Sequence, residues 1–322
     1  MKSFLIIILF TANLFAQTYK TPLVHTYSIV ARDTETGEMG VAVQSHWFSV
    51  GSIVTWGEAG VGVIATQSFV NPAFGPEGLK LLKSGYSAQQ AVDKMIAEDE
   101  ARDMRQLAII DSKGRSAAYT GKNCIPGAGH IVGENYSVQA NLMLNDKVWT
   151  AMSESFTKSK GSLAERLVAA LEAAENAGGD IRGKQSAAIL VVKGTPSGKV
   201  WDDRKVDLRV EYHPETIQEL KRLLQVHKAY EHMNNGDLAV EKGDMKKAME
   251  EYSSAEKLFP DNEEMLYWHA VALANNAMMD EALPIFEKVF RKNDNWKTLT
   301  PRLRKVGQLN ISEEQFLKIM EQ

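Results

Sequence analysis

Runs of apolar and β-branched residues, broken by turn residues, dominate the chain from about residue 25 to 212. Tyr27 to Arg32 and Met39 to Ser45 are two such runs joined by Asp33-Thr34-Glu35-Thr36-Gly37-Glu38, where the Asp and Gly favour a turn, and the pair predicts a hairpin. Ser52 to Trp56 and Val61 to Gln67, around Gly57-Glu58-Ala59-Gly60, predict a second hairpin. Leu107 to Asp111 and Arg115 to Thr120, around Ser112-Lys113-Gly114, predict a third. Tyr136 to Leu142, Gln185 to Val192 and Val206 to Tyr212 read as single strands. Helical periodicity fills the gaps. Pro76 to Glu98 is one block, interrupted by Gly85 and restarted at Ser87 as an N-cap. Asp146 to Thr157 with Ser162 to Ala177 is the other, where Leu163, Leu167, Ala170, Leu171 and Ala174 recur at helical spacing until Gly178-Gly179 stops them. Short antiparallel runs with helices arriving in pairs predict two sheets stacked face to face and covered by helices on both outer faces, a four-layer α/β/β/α sandwich.

Beyond Tyr212 the pattern turns helical and stays so. His213-Pro214 opens a helix with apolar positions at Ile217, Leu220, Leu223, Leu224 and Ala229. A 34-residue period then pairs Gly243 with Ala277, Ala248 with Ala282, Tyr252 with Phe286 and Ala255 with Val289. Small residues that let paired helices approach, with an aromatic filling the groove between them, are the tetratricopeptide signature, and Gly236 and Pro260 fall where it wants them. The expected division is therefore an α+β sandwich over 25–225 and an all-α tetratricopeptide-like domain over 226–322, with Trp296 to Met320 as a degenerate or capping unit.

The N-terminus changes the expected location. Lys2 followed by an apolar run from Phe4 to Phe10 and a stretch ending in Ala16 reads as a signal peptide over 1–16, with an extension over 17–24 after cleavage. The expected destination is the periplasm or the exterior, with no transmembrane span left after the cut. Composition narrows the chemistry further. A net charge of −4 gives no basic field for nucleic acid. One cysteine, Cys124, excludes an intramolecular disulfide framework. The scattered histidines show no metal-ligand spacing, so no metal or cofactor is expected. Neither a GxSxG elbow nor a phosphate-binding glycine loop is present.

His25-Thr26-Tyr27-Ser28-Ile29-Val30-Ala31-Arg32-Asp33 places a hydroxyl residue at the very start of the first strand. This segment, Gly40-Val41-Ala42-Val43-Gln44-Ser45, Gly60 to Gln67, Asn71-Pro72-Ala73-Phe74-Gly75-Pro76, Gly127-Ala128-Gly129-His130, Gly178 to Ala188 and Asp202 to Val210 resemble the domain-of-unknown-function 1028 family. The resemblance covers roughly 25–225. It implies the fold of the N-terminal-nucleophile hydrolases, which cleave amide bonds with a Thr, Ser or Cys at the first residue of the mature chain. The α-amine of that residue, with an ordinary pKa of about 7.7–8.0, accepts the side chain's proton. Thr26 would be such a nucleophile once the bond after His25 is cut; an internal Thr has no such amine.

On physical grounds Arg32, Asp33 and Asn141 are candidate catalytic partners. Ser45, Thr66, Gln67, Asp180 and Arg182 are candidate substrate-binding groups, because hydroxyls, amides and a guanidinium at strand ends or in a glycine-rich loop can face developing charge. Ser68, Cys124, His46 and His130 are lesser candidates, with the two imidazoles and the thiol expected to be structural. Trp47, Phe48, Phe69 and Phe74 are candidate pocket aromatics. The expected activity is that of a secreted amide-bond hydrolase acting on a small amide or peptide-like substrate. The competing expectation is a non-catalytic ligand-binding or assembly protein. In either case the helical repeats would engage a protein partner or a second copy.

Overall fold

The computed structural model describes residues 23–322; the leader over 1–16 and the extension as far as residue 22 lie outside the described residues. The described chain begins with β1 (Leu23–Val24), β2 (Thr26–Arg32), β3 (Met39–Ser45), the single-turn α1 (Gly51–Val54), β4 (Thr55–Glu58) and β5 (Gly62–Phe69). Helices α2 (Phe74–Lys83) and α3 (Ala88–Glu98) follow. Next come β6 (Arg105–Asp111), β7 (Ser116–Thr120), β8 (Gly129–Gly133) and β9 (Tyr136–Ala140). Helices α4 (Val148–Lys158) and α5 (Leu163–Asn176) precede β10 (Ser186–Val192) and β11 (Arg204–Val210).

Two antiparallel sheets result. One has the order β1-β5-β6-β7, and β4 lies on the same edge of β5 as β1. The other has the order β11-β10-β3-β2-β9-β8. Alternation along each strand sorts the side chains into layers. Val30, Val41, Val43, Val63, Ala65, Ala108 and Ile110 meet between the sheets. Tyr27, Ile29, Ala42, Val138 and Ile189 face the other way, onto α4 and α5. Ile64, Leu107 and Ile109 pack beneath α2 and α3. The fold is a four-layer α/β/β/α sandwich followed by an all-helical region. Ser87 and Ser162 each close a capping box, with Gln90 and Glu165 respectively, which fixes where the longer outer helices begin.

Three elements depart from the expected pattern. The strand predicted at Ser52 starts at Thr55, because the chain has to pass from one sheet to the other after Ser45 and turns through α1 to do so. Ser49 takes a left-handed φ of 58° there, and Gly51 lies so close to β10 that a Cβ would stand 2.4 Å from that of Ala188. Strand β8 was hidden by glycines at both its ends; it pairs with β9 from Gly133↔Tyr136 to Gly129↔Ala140, and Asn135 takes φ 62° in the connecting turn. Strand β1 is too short to show any periodicity.

The helical region contains α6 (Thr216–Glu241), α7 (Met245–Leu258), α8 (Glu263–Asn275), α9 (Met279–Lys292), α10 (Asn295–Lys305) and α11 (Glu313–Met320). Helix α6 belongs to two cores at once. Ile217, Leu220 and Leu224 pack with α5 and the sheet beneath it, while Ala229, Met233 and Ala239 pack with Tyr252 and Ala255 of α7. Among the described residues no helix is long and apolar enough to cross a membrane. Gly236 lets α6 and α7 approach: a Cβ there would lie 2.5 Å from Cε1 of the buried Tyr252 ring. Gly236→Val is therefore expected to destabilise this region by about 1–3 kcal/mol through overpacking. Chemical denaturation followed by tryptophan fluorescence checks it.

Candidate functional site

The polar end of the inter-sheet layer is built where β2 begins. Val24 belongs to one sheet and Thr26 to the other, so the chain crosses between the sheets at His25. Thr26 is fully buried and His25 is 3% exposed. The Thr26 hydroxyl donates to the Val24 carbonyl at 2.9 Å. The Thr26 carbonyl accepts from the Asn141 backbone N–H at 3.0 Å and from Gln67 Nε2 at 3.1 Å.

The peptide carbonyl just before Thr26 has the most pointed environment. The His25 oxygen accepts from Ser45 Oγ at 2.6 Å and from Arg182 Nη2 at 2.8 Å. Asp180 fixes the guanidinium in place: its carboxylate, completely shielded from solvent, accepts from Arg182 Nη2 at 2.7 Å, Arg182 Nε at 3.0 Å and the Arg182 backbone N–H at 2.9 Å. A planar fork held by a buried carboxylate loses little freedom when it bonds, which suits it to meeting oxygen charge at a set position. The glycines around it, Gly178, Gly179 and Gly183, all have positive φ, so the loop folds tightly enough to bring Asp180 and Arg182 against the end of β3.

The His25 ring is part of the same cluster. Its Nδ1 lies 2.7 Å from Asn141 Oδ1, an amide oxygen that can only accept, so Nδ1 carries the proton. Burial lowers the ring's pKa from its usual 6.5 and the Arg182 charge lowers it further, against the opposing effects of Asn141 and Asp180; the imidazole is neutral at pH 7. Phe69 meets it edge-on, with ring centroids 5.8 Å apart at 83°. Arg105 Nη1 bonds the Phe69 carbonyl while its Nε donates to Asp99 at 2.8 Å, so this ion pair secures the end of β5.

Burial raises the Asp99 carboxyl's pKa, but the Arg105 hydrogen bond, the Ala101 N–H and the Arg105 charge outweigh it and hold the value below the ordinary 3.8. A lowered folded-state pKa contributes stability above about pH 4 that is lost as pH falls through the lowered value. The stability gap between the parent and Asp99→Asn is expected to be full near pH 7 and to close on acidification below pH 4. Urea midpoints measured across that range check it.

The structure therefore brings Thr26, Ser45, Gln67, Asn141, Asp180 and Arg182 together. It keeps other expected residues apart. Arg32 and Asp33 lie at the opposite end of β2, roughly 20 Å from Thr26 at the rise of an extended strand. Asp33 there accepts the Glu35 and Thr36 N–H groups, closing the turn, and pairs with Arg166. Thr66 donates to the Asn71 carbonyl and, by strand alternation, points away from the inter-sheet layer. Among the aromatics, Phe69 reaches the cluster, whereas Phe74 is core under α2, Trp47 packs partly into the inter-sheet core and Phe48 is 62% exposed. Burial pushes the Cys124 thiol up, and it donates to the Arg105 carbonyl, so it is not poised as a nucleophile. The His130 ring bonds Thr120 Oγ1.

Sequence reading missed a buried relay behind the site. Gln67 Nε2 donates to Gln106 Oε1 at 2.7 Å, Asn141 Nδ2 donates to the same oxygen at 2.9 Å, and Ser28 Oγ donates to Gln67 Oε1 at 2.6 Å; Gln139 donates to Ser28 in turn. All are fully buried. The available signal was a glutamine recurring in β5, β6 and β9, since a fully buried amide needs partners on every side.

A model of a family of unknown function, DUF1028, matches residues 26–220. No curated protein matches the chain. The crystal structure of protein SPO2555 from Silicibacter pomeroyi, also of the DUF1028 type, is 35% identical with a TM-score of 0.57, over 62% of this chain and 85% of that one. Anbu, an ancestral β-subunit from Yersinia bercovieri, is 12% identical with a TM-score of 0.31, over 61% of this chain and 92% of its own.

Proposed function

The chain belongs to the DUF1028 family over residues 26–220, and from that premise we propose that it is a latent amide-bond hydrolase of the N-terminal-nucleophile type that cuts its own His25–Thr26 bond. The observation that carries this reading is the His25 carbonyl, held by two donors directly ahead of a buried threonine hydroxyl. Donors fixed at a carbonyl oxygen stabilise the negative charge it gains when attacked. Thr26 Oγ attacks the His25 carbonyl carbon, the new C–O bond forms as the C–N bond breaks, and the hydroxyl proton ends on the Thr26 nitrogen. Water then hydrolyses the ester, releasing His25 as a carboxylate and leaving Thr26 with a free α-amine. That amine takes the hydroxyl proton when a substrate amide is attacked, and passes it to the leaving amine. Ser45 and Arg182 then serve the substrate carbonyl, while Asn141, Gln67 and Asp180 position the groups around it.

A second reading, a binding or assembly scaffold without catalysis, is favoured by the Thr26 hydroxyl being engaged on the Val24 carbonyl in an uncut chain. Intact mass and N-terminal sequencing of the protein from its native compartment separate the two. A Thr26 start supports the hydrolase, and a chain that persists with residues 17–25 attached supports the scaffold. The proposal includes export through the leader at 1–16. It also assigns protein docking to the helical region, where α7 and α9 begin 34 positions apart, at Met245 and Met279, in the tetratricopeptide manner.

A further inference from the structure

Resting on that reading, we infer that the acyl subsite of the processed protein is the place His25 occupies in the uncut chain. The substrate is then an extended peptide laid along the β5 edge, with histidine or another planar ring residue on the carbonyl side of the cleaved bond.

The uncut chain shows how such a peptide is held. Residues 23–24 form an antiparallel ladder on β5, Leu23 opposite Phe69 and Val24 opposite Ser68. Strand β4 covers the same edge only between Gly62 and Ala65. Loss of everything before Thr26 therefore leaves the backbone groups at Ser68 and Phe69 free to accept another strand, which is how extended peptides are recognised at sheet edges. The ring next to the cut bond fits a particular niche: Phe69 presents itself edge-on and Asn141 Oδ1 takes the ring N–H. The carbonyl meets Ser45 and Arg182. Every one of these partners lies after the cut and stays with the enzyme. Side chains that place a ring and a donor there regain both contacts, whereas alanine leaves Asn141 Oδ1 without its donor and glutamate sets an acceptor against that oxygen.

The test uses the processed protein. Leu-Val-His, Leu-Val-Phe, Leu-Val-Ala and Leu-Val-Glu aminomethylcoumarin amides are compared by kcat/KM, and labelling of Thr26 by a threonine-directed β-lactone is followed in parallel by mass spectrometry. The expected result is a preference for the histidine amide over the alanine and glutamate amides of about tenfold or more, the scale of one added hydrogen bond and ring contact. Asn141→Leu is expected to lower the histidine amide more than the phenylalanine amide. Free Leu-Val-His should slow lactone labelling, because its carboxylate faces Arg182. Labelling of Thr26 with alanine cleaved as well as histidine, and no protection by the free peptide, overturns the subsite while leaving the nucleophile in place. A chain that starts at Thr26 but neither labels nor cleaves overturns the nucleophile and the subsite together.

Discussion

Thr26→Ala is expected to hold the chain permanently at its uncut mass, whereas Thr26→Ser still yields a new N-terminus at position 26. The hydroxyl is the one group in the proposed cleavage that no neighbour replaces. The Ser45 hydroxyl is spent on the His25 carbonyl, and Ser28 is committed to Gln67. Alanine removes the nucleophile, its hydrogen bond to Val24 and a buried methyl group, together about 2 kcal/mol, which a domain of this size tolerates. The folded state is therefore expected to survive, with an unfolding midpoint modestly below the parent's. Serine retains an attacking oxygen, and its missing methyl group leaves a small gap in a fully buried position, so cutting is slower and still complete. Intact mass over time after purification reads all three chains. Processing of Thr26→Ala at the parental rate would mean that another protease makes the cut.

How much of this was visible in the residues differs between the layers and the site. The hairpins on either side of Asp33-Gly37 and of Ser112-Gly114 are local events, dictated by turn residues between β-rich runs, and the helices are fixed by Ser87 and Ser162 as caps. Such signals lie within a few residues of the structure they specify. The site draws on residues far apart in the chain: Ser45 and Asn141 arrive by strand pairing within one sheet, Arg182 from the loop before β10, and Gln67 from the sheet stacked opposite, none of which a local pattern encodes. Arg32 and Asp33 illustrate the cost of reading by proximity. They are near Thr26 in sequence, but an extended strand carries them to the far end of the sandwich, where Asp33 serves a turn. Thr66 fails for the opposite reason. It neighbours Gln67, and alternation sends the two side chains to opposite faces of β5.

Arg182→Ala is expected to slow formation of the Thr26 terminus by about 10²–10³, the usual effect of losing one donor at a developing oxyanion. It also carries a stability effect that has to be separated from the first. Asp180 is fully shielded and three of its contacts come from Arg182, so removing the guanidinium strands a buried carboxylate, at about 3 kcal/mol. The backbone N–H groups of His46 and residue 182 remain to it, which keeps the loss at the lower end. Adding Asp180→Asn in the same chain removes the stranded charge and is expected to restore most of the urea midpoint without restoring the cutting rate. Arg182→Lys should fall between parent and alanine in rate, because a single ammonium cannot hold Asp180 through two nitrogens and still reach the His25 oxygen. If the double variant regains the rate along with the stability, Arg182 acts by holding the loop together, and the charge on the His25 carbonyl is met by Ser45 alone.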